Sequence, residues 1–210
     1  MRSLWLAPVL LCVLAPAAVA QSAIERLRAV EQRYNRVRTL EVPFTETYRA
    51  LGQGRREAGT LYLLKPGRMR WDYSKPAGKQ FVSDGKYFYL YSPLRNRAER
   101  TPVKESGDMH APIAFLLGRL QFEKDFKRFE SRPEGDNLFI SATPHNPNLP
   151  YRLVEFLVTP DARMAMVRVI GQDESILEFR FGEEKVNPPL ATGLFEFSPP
   201  EGVEIIEGVD

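Results

Sequence analysis

Between Ala23 and Arg38 the apolar side chains Leu27, Val30, Tyr34 and Val37 recur at intervals of three, four and three. That spacing lines one face of an α-helix, with charged residues filling the other. Ser22 followed by Glu25 fits a capping box and predicts the helix start there. After Thr39 the period falls to two. Phe44, Glu46 and Tyr48 alternate with Thr45, Thr47 and Arg49, and Met69, Trp71 and Tyr73 with Arg68, Arg70 and Asp72. These runs predict antiparallel strands with one dry face, separated by turns at Pro66-Gly67 and Ser74-Lys75-Pro76.

Asp84-Gly85 predicts a two-residue type I′ hairpin between Lys79–Ser83 and Lys86–Ser92. The run from Tyr87 to Tyr91 is apolar on both faces, as for a strand covered on one side and facing an interior on the other. Further strands are predicted at Phe126–Ser131, Leu138–Thr143, Arg152–Thr159, Met164–Gly171 and Ile176–Phe181, with a closing strand at Leu194–Phe197. Pro112 suits a first helical position, and Ile113, Phe115, Leu116, Leu117 and Leu120 make a second, short apolar helix. One strongly curved antiparallel sheet, with two helical segments covering its concave face, accounts for this α+β pattern.

Residues 1–20 carry the marks of an export signal: Arg2, an apolar run from Leu4 to Pro16, and small Ala18 and Ala20 at cleavage spacing. The mature chain is then a single domain, 21–210. Leu10 and Leu11 before Cys12 argue against a lipidation cysteine. Loss of the signal removes the one cysteine and leaves 28 basic against 27 acidic residues, a balance unlike that of a nucleic-acid binder. The apolar run is shorter than the roughly 18–20 residues a membrane-spanning helix needs.

Candidate chemistry is sparse. His110 and His145 are the two histidines, and with no mature cysteine a zinc site is hard to assemble. Ser83-Asp84-Gly85-Lys86 matches a Ser-x-x-Lys string, but that chemistry needs a helix and these letters form a turn. Asp173-Glu174 and Glu183-Glu184 are adjacent, point to opposite faces, and read as surface charge. No phosphate loop, nucleophile elbow or His-Glu-x-x-His string occurs. The sequence predicts no enzyme and no cofactor.

Four blocks carry a family resemblance: Leu40–Glu46; Gly59–Trp71, followed by Pro76 and the Val82–Lys86 hairpin; Ala111-Pro112 leading into Leu116-Leu117; and Phe195–Val203. In this order and spacing the chain resembles the LolA-type outer-membrane lipoprotein carriers. It departs from them with Glu46 where glutamine is usual, Lys65 where a lid-latching arginine is usual, and Met69 where phenylalanine is common.

The resemblance implies an incomplete, half-open β-barrel with a helical lid over a hydrophobic cavity. It also implies a periplasmic, monomeric carrier of acylated lipoproteins. Such a carrier takes them from an inner-membrane ABC-type release complex to an outer-membrane acceptor. On that expectation Tyr34, Val37, Ile113, Leu116 and Leu117 supply lid contacts, Lys65 the latch, and Met69, Trp71, Phe88 and Leu90 the concave face. The alternative is a lipid- or lipoprotein-sensing module on the same scaffold.

Overall fold

The computed structural model describes residues 15–103 and 120–208, with side chains from residue 23 onward. Helix α1 (Ala15–Asn35) precedes strands β1 (Thr39–Ala50), β2 (Gln53–Leu64), β3 (Arg68–Lys75), β4 (Ala77–Ser83), β5 (Tyr87–Ser92) and β6 (Arg97–Pro102). After a single helical turn α2 (Phe122–Asp125) come β7 (Phe126–Glu134), β8 (Asn137–Pro144), β9 (Tyr151–Val158), β10 (Met164–Gly171) and β11 (Ile176–Phe181). Short β12 (Lys185–Val186) and β13 (Glu204–Glu207) follow.

All thirteen strands join one open, curved sheet, ordered β13-β6-β5-β4-β3-β2-β1-β11-β10-β9-β8-β7, with β12 on the start of β1. Every pairing is antiparallel except β13 on β6. Register shifts in the β2–β3, β3–β4, β7–β8 and β9–β10 pairs bend the sheet. At the first of these Gly59 is required: a Cβ there would lie 2.1 Å from the Asp72 carbonyl oxygen.

Strand alternation sets one face inward. Leu40, Val42 and Phe44 on β1, Leu61 and Leu63 on β2, and Met69, Trp71 and Tyr73 on β3 are all buried in one core. Ala23, Leu27, Val30, Tyr34 and Val37 of the α1 segment join it, so the helix seats its apolar stripe on the concave side. The opposite face of β5 is also covered, since Phe197 stacks on Tyr89 at 5.1 Å.

Three expectations are corrected. Helix α1 already runs at Ala15, the first described residue, so Ser22 lies inside it in the full chain and does not open it there; it stops at Asn35, with Val37 buried beyond its end. The hairpin between β4 and β5 turns on Gly85-Lys86, with positive φ at Gly85 and at neither Asp84 nor Lys86. Asp84 instead closes the turn, its Oδ1 accepting from the amides of Lys86 and Tyr87 at 2.7 and 2.8 Å. Finally, Thr192–Phe195 forms a 3-10 turn where the sequence predicts a closing strand. Phe195 is fully buried there, and the last strand lies further on, at β13.

Candidate functional site

Strands β1, β2, β3 and β11 present a continuous aromatic and aliphatic surface in the same core that α1 joins; α1 lies nearest β7 and β8, and its Tyr34 reaches β1, β2 and β10. Phe44 meets Trp71 edge-on at 4.6 Å, and Trp71 meets Phe179 at 5.0 Å. The Trp71 indole N–H donates to Met69 Sδ at 3.2 Å, so it is satisfied within the patch. Further along the same face Phe81 stacks on Phe88 at 5.3 Å. Tyr34, Leu40, Val42, Leu61 and Met164 enclose a void of about 10 Å³ between helix and sheet. An acyl chain therefore needs α1 to lift from this part of the face.

The helix is held at its rims by polar contacts. Lys65, which directly follows β2, donates from Nζ to the Tyr34 carbonyl at 2.9 Å. That carbonyl lies in the last turn of α1, where the helix dipole attracts cations, and it also accepts from the Val37 amide at 3.2 Å. The Tyr34 hydroxyl donates to Glu184 Oε2 at 2.7 Å and accepts from the Met164 amide at 3.1 Å. Arg33 also pairs with Glu184. On the other rim, Arg28 pairs with Glu123 of α2 at 2.7 Å. Asn35 there exchanges two hydrogen bonds with the Leu120 backbone, at 2.8 and 3.1 Å.

Burial, reinforced by the Glu184 carboxylate, pushes the Tyr34 phenol above its ordinary range, so it stays a proton donor at neutral pH. Burial holds the Lys65 ammonium below the ordinary lysine range.

The apolar band ends in a charged belt near the β1–β2 turn. Glu46, fully buried and facing Glu57 across the ladder, accepts from Tyr73 Oη at 2.8 Å. Its other oxygen has no hydrogen bond, with Arg55 at 3.6 Å. Glu57 pairs with Lys79, whose Nζ lies 4.1 Å over the Tyr73 ring. Burial and the Glu46 carboxylate raise the Tyr73 phenol far above its usual range. Leu40, Val42 and Phe44 thus lie between two charged ends, Lys65 and Glu46.

Among the expected site residues, Tyr34, Val37, Met69, Trp71 and Phe88 share one buried cluster, with Leu90 packed at its margin and Lys65 at the end of α1. Ile113, Leu116 and Leu117 lie outside the described residues. Sequence reasoning misses Glu184. It reads as surface charge, yet its side chain is 7% exposed and holds both Arg33 and Tyr34. No periodicity marks it, because it precedes a two-residue strand.

Among the described residues no group of three or more His, Cys, Asp or Glu side chains is placed to hold a metal ion. No described helix is long and apolar enough to cross a membrane.

An open antiparallel sheet with a helix pinned over its apolar concavity defines a lidded half-barrel. The family model described as outer membrane lipoprotein carrier protein LolA matches residues 35–198, and the chain belongs to that family. The outer-membrane lipoprotein carrier protein of Chromobacterium violaceum is 28% identical over 196 residues, 91% of each chain. That of Nitrosomonas europaea is 27% identical over 208 residues, 98% of each. Among solved structures, an uncharacterized conserved protein from Thermus thermophilus superposes with a TM-score of 0.53 at 14% identity, over 90% of this chain and all of that one. MucB superposes at 0.50 and 10% identity, over 85% of this chain and 63% of its own. These last two likenesses concern the fold alone.

Proposed function

We propose that the chain, after loss of residues 1–20, is a periplasmic carrier that covers the acyl chains of lipoproteins with its concave sheet face and with α1 as a movable lid. It takes cargo from an inner-membrane ABC-type release complex and passes it to an outer-membrane acceptor, with no chemistry of its own. The observation that carries this reading is the seating of α1: an apolar stripe laid on the sheet, fastened at its rims by hydrogen bonds and ion pairs.

The magnitudes support an exchange. Burying Leu27, Val30, Tyr34 and Val37 at roughly 1.5–3 kcal/mol each totals about 6–12 kcal/mol. A sixteen-carbon acyl chain gains about 12 kcal/mol on leaving water. Lid contacts given up on opening offset much of what cargo gains, so binding protects the chain yet stays reversible.

The test is release of newly made lipoproteins from spheroplasts into the medium by the purified mature protein. The reading predicts soluble complexes containing this protein and acylated polypeptide in equal amounts. Lipoproteins that stay wholly with the membrane would overturn it.

A further inference from the structure

We propose that a basic groove beside the Lys65 latch binds the phosphate of an anionic phospholipid headgroup. The groove encloses about 730 Å³ between the α1–β1 corner, the β2–β3 turn and the segment 187–192. Four cations line it, Arg36, Arg38, Lys65 and Arg68, and no acidic residue does. Elsewhere on the molecule Arg28, Arg33, Arg70, Arg152 and Arg168 each meet a carboxylate, while Arg49, Arg56 and Arg97, which meet none among the described residues, stand on exposed surface outside this groove. Among the described residues, Arg36, Arg38 and Arg68 meet none. Cations gathered without counter-charge in a concave site raise the local concentration of anions.

The walls are fixed in place. Asn187 Oδ1 accepts from the Arg38 amide at 2.8 Å, the Asn187 amide donates to the Thr39 carbonyl at 2.8 Å, and Thr39 Oγ1 donates to the Pro188 carbonyl at 2.7 Å. The Lys65 amide donates to the Arg38 carbonyl at 2.9 Å. All three segments are thereby tied together before any ligand arrives.

Apolar wall residues select among anions. Leu64, Pro66, Pro188 and Leu190 stand beside the four cations. A free phosphate has no use for them, whereas a headgroup brings its glycerol carbons along with its charge. The volume holds roughly two dozen waters, enough for such a group.

The site also bears on the lid, a consequence that rests on the carrier reading above. A phosphate oxygen is a charged acceptor, about twice as strong a partner for an ammonium as a neutral carbonyl. A headgroup in the groove draws Lys65 off the Tyr34 carbonyl, so α1 loosens at the membrane surface, where cargo is exchanged.

The experiment sediments the mature protein with vesicles of phosphatidylcholine alone or mixed with phosphatidylglycerol, with sn-glycerol 3-phosphate and inorganic phosphate as competitors. Two triple variants lose equal charge: R36Q/R38Q/R68Q in the groove, and R49Q/R56Q/R97Q on exposed surface elsewhere. The proposal predicts binding to the anionic vesicles only, weakened roughly 100-fold in the groove variant and little changed in the other. Glycerol phosphate should compete better than inorganic phosphate. Equal losses in both variants, equal binding to phosphatidylcholine, or equal competition by inorganic phosphate would each overturn it. Uptake of a fluorescent lipopeptide without vesicles is measured in parallel: its failure in the natural protein counts against the carrier reading and leaves the vesicle result standing.

Discussion

The Tyr34 hydroxyl donates to Glu184 Oε2 at 2.7 Å, and so joins the inner face of the lid helix to a carboxylate that follows β11. The same oxygen accepts from the Met164 amide, so this phenol fastens α1 to two segments at once. Tyr34→Phe keeps the ring and removes both bonds, leaving a buried amide without its acceptor. The expected cost is about 1–3 kcal/mol. Amides of α1 should exchange hydrogen faster while those of β10 and β11 hold their protection. Unchanged exchange in α1 would show that apolar contact alone seats the helix.

Lys65 makes the lid pH-sensitive in a defined direction. Burial lowers its pKa when α1 is closed, so the closed form binds this proton less tightly than the open form. Raising the pH through that lowered value toward the ordinary lysine range therefore favours closure, and lowering it favours opening. Spin labels at Gln32→Cys and Lys86→Cys, in residues 21–210, which hold no other cysteine, report the distance. Lys65→Arg should abolish the alkaline response and favour the closed form throughout, because a guanidinium stays charged and offers a planar fork of donors. A response that persists in Lys65→Arg would assign it to another group.

Trp71 is the one tryptophan of the expected mature chain, and it is 2% exposed on the concave face. Lipopeptide entering this core repacks the Phe44, Phe179 and Met69 side chains around the indole. Its emission should change on titration with lipopeptide and stay constant with the deacylated peptide. Equal responses to both would place the binding elsewhere.

Glu46 is a fully buried carboxylate with one oxygen lacking a hydrogen bond. Glu46→Gln keeps the shape and an acceptor for Tyr73 while removing a charge that Arg55 only half compensates. Because Arg55 is half exposed and Glu46 faces Glu57, the change sheds a desolvation cost without stranding a buried cation, and a gain of about 1 kcal/mol is expected in urea unfolding. A loss of similar size would mean that the Arg55 pairing is worth more than the cost of burying the charge.

Much of this architecture is legible in the sequence because strand alternation and burial coincide. The inward set Met69, Trp71 and Tyr73 follows directly from the period of two. Where polar side chains occupy inward positions the pattern fails. The first half of β2, Gln53 to Glu57, has no apolar residue, since its inner face carries the charged belt of Arg55 and Glu57. Glu184 and the last strand escape the pattern for related reasons. One sits in a loop with no period, and the other is a short, parallel edge strand whose partner β6 lies far earlier in the chain. The latch position Lys65 is legible through the family resemblance, not through any local pattern.

The central claim is that acyl chains lie on the face that α1 covers. A photoreactive side chain in place of Met69, activated in the periplasm of growing cells and followed by mass spectrometry of the adducts, tests it most directly. The account predicts crosslinks to polypeptides whose N-terminal cysteine is acylated, and their loss when lipoprotein maturation is blocked. Adducts made only of free phospholipid, or only of proteins without acyl chains, would contradict it.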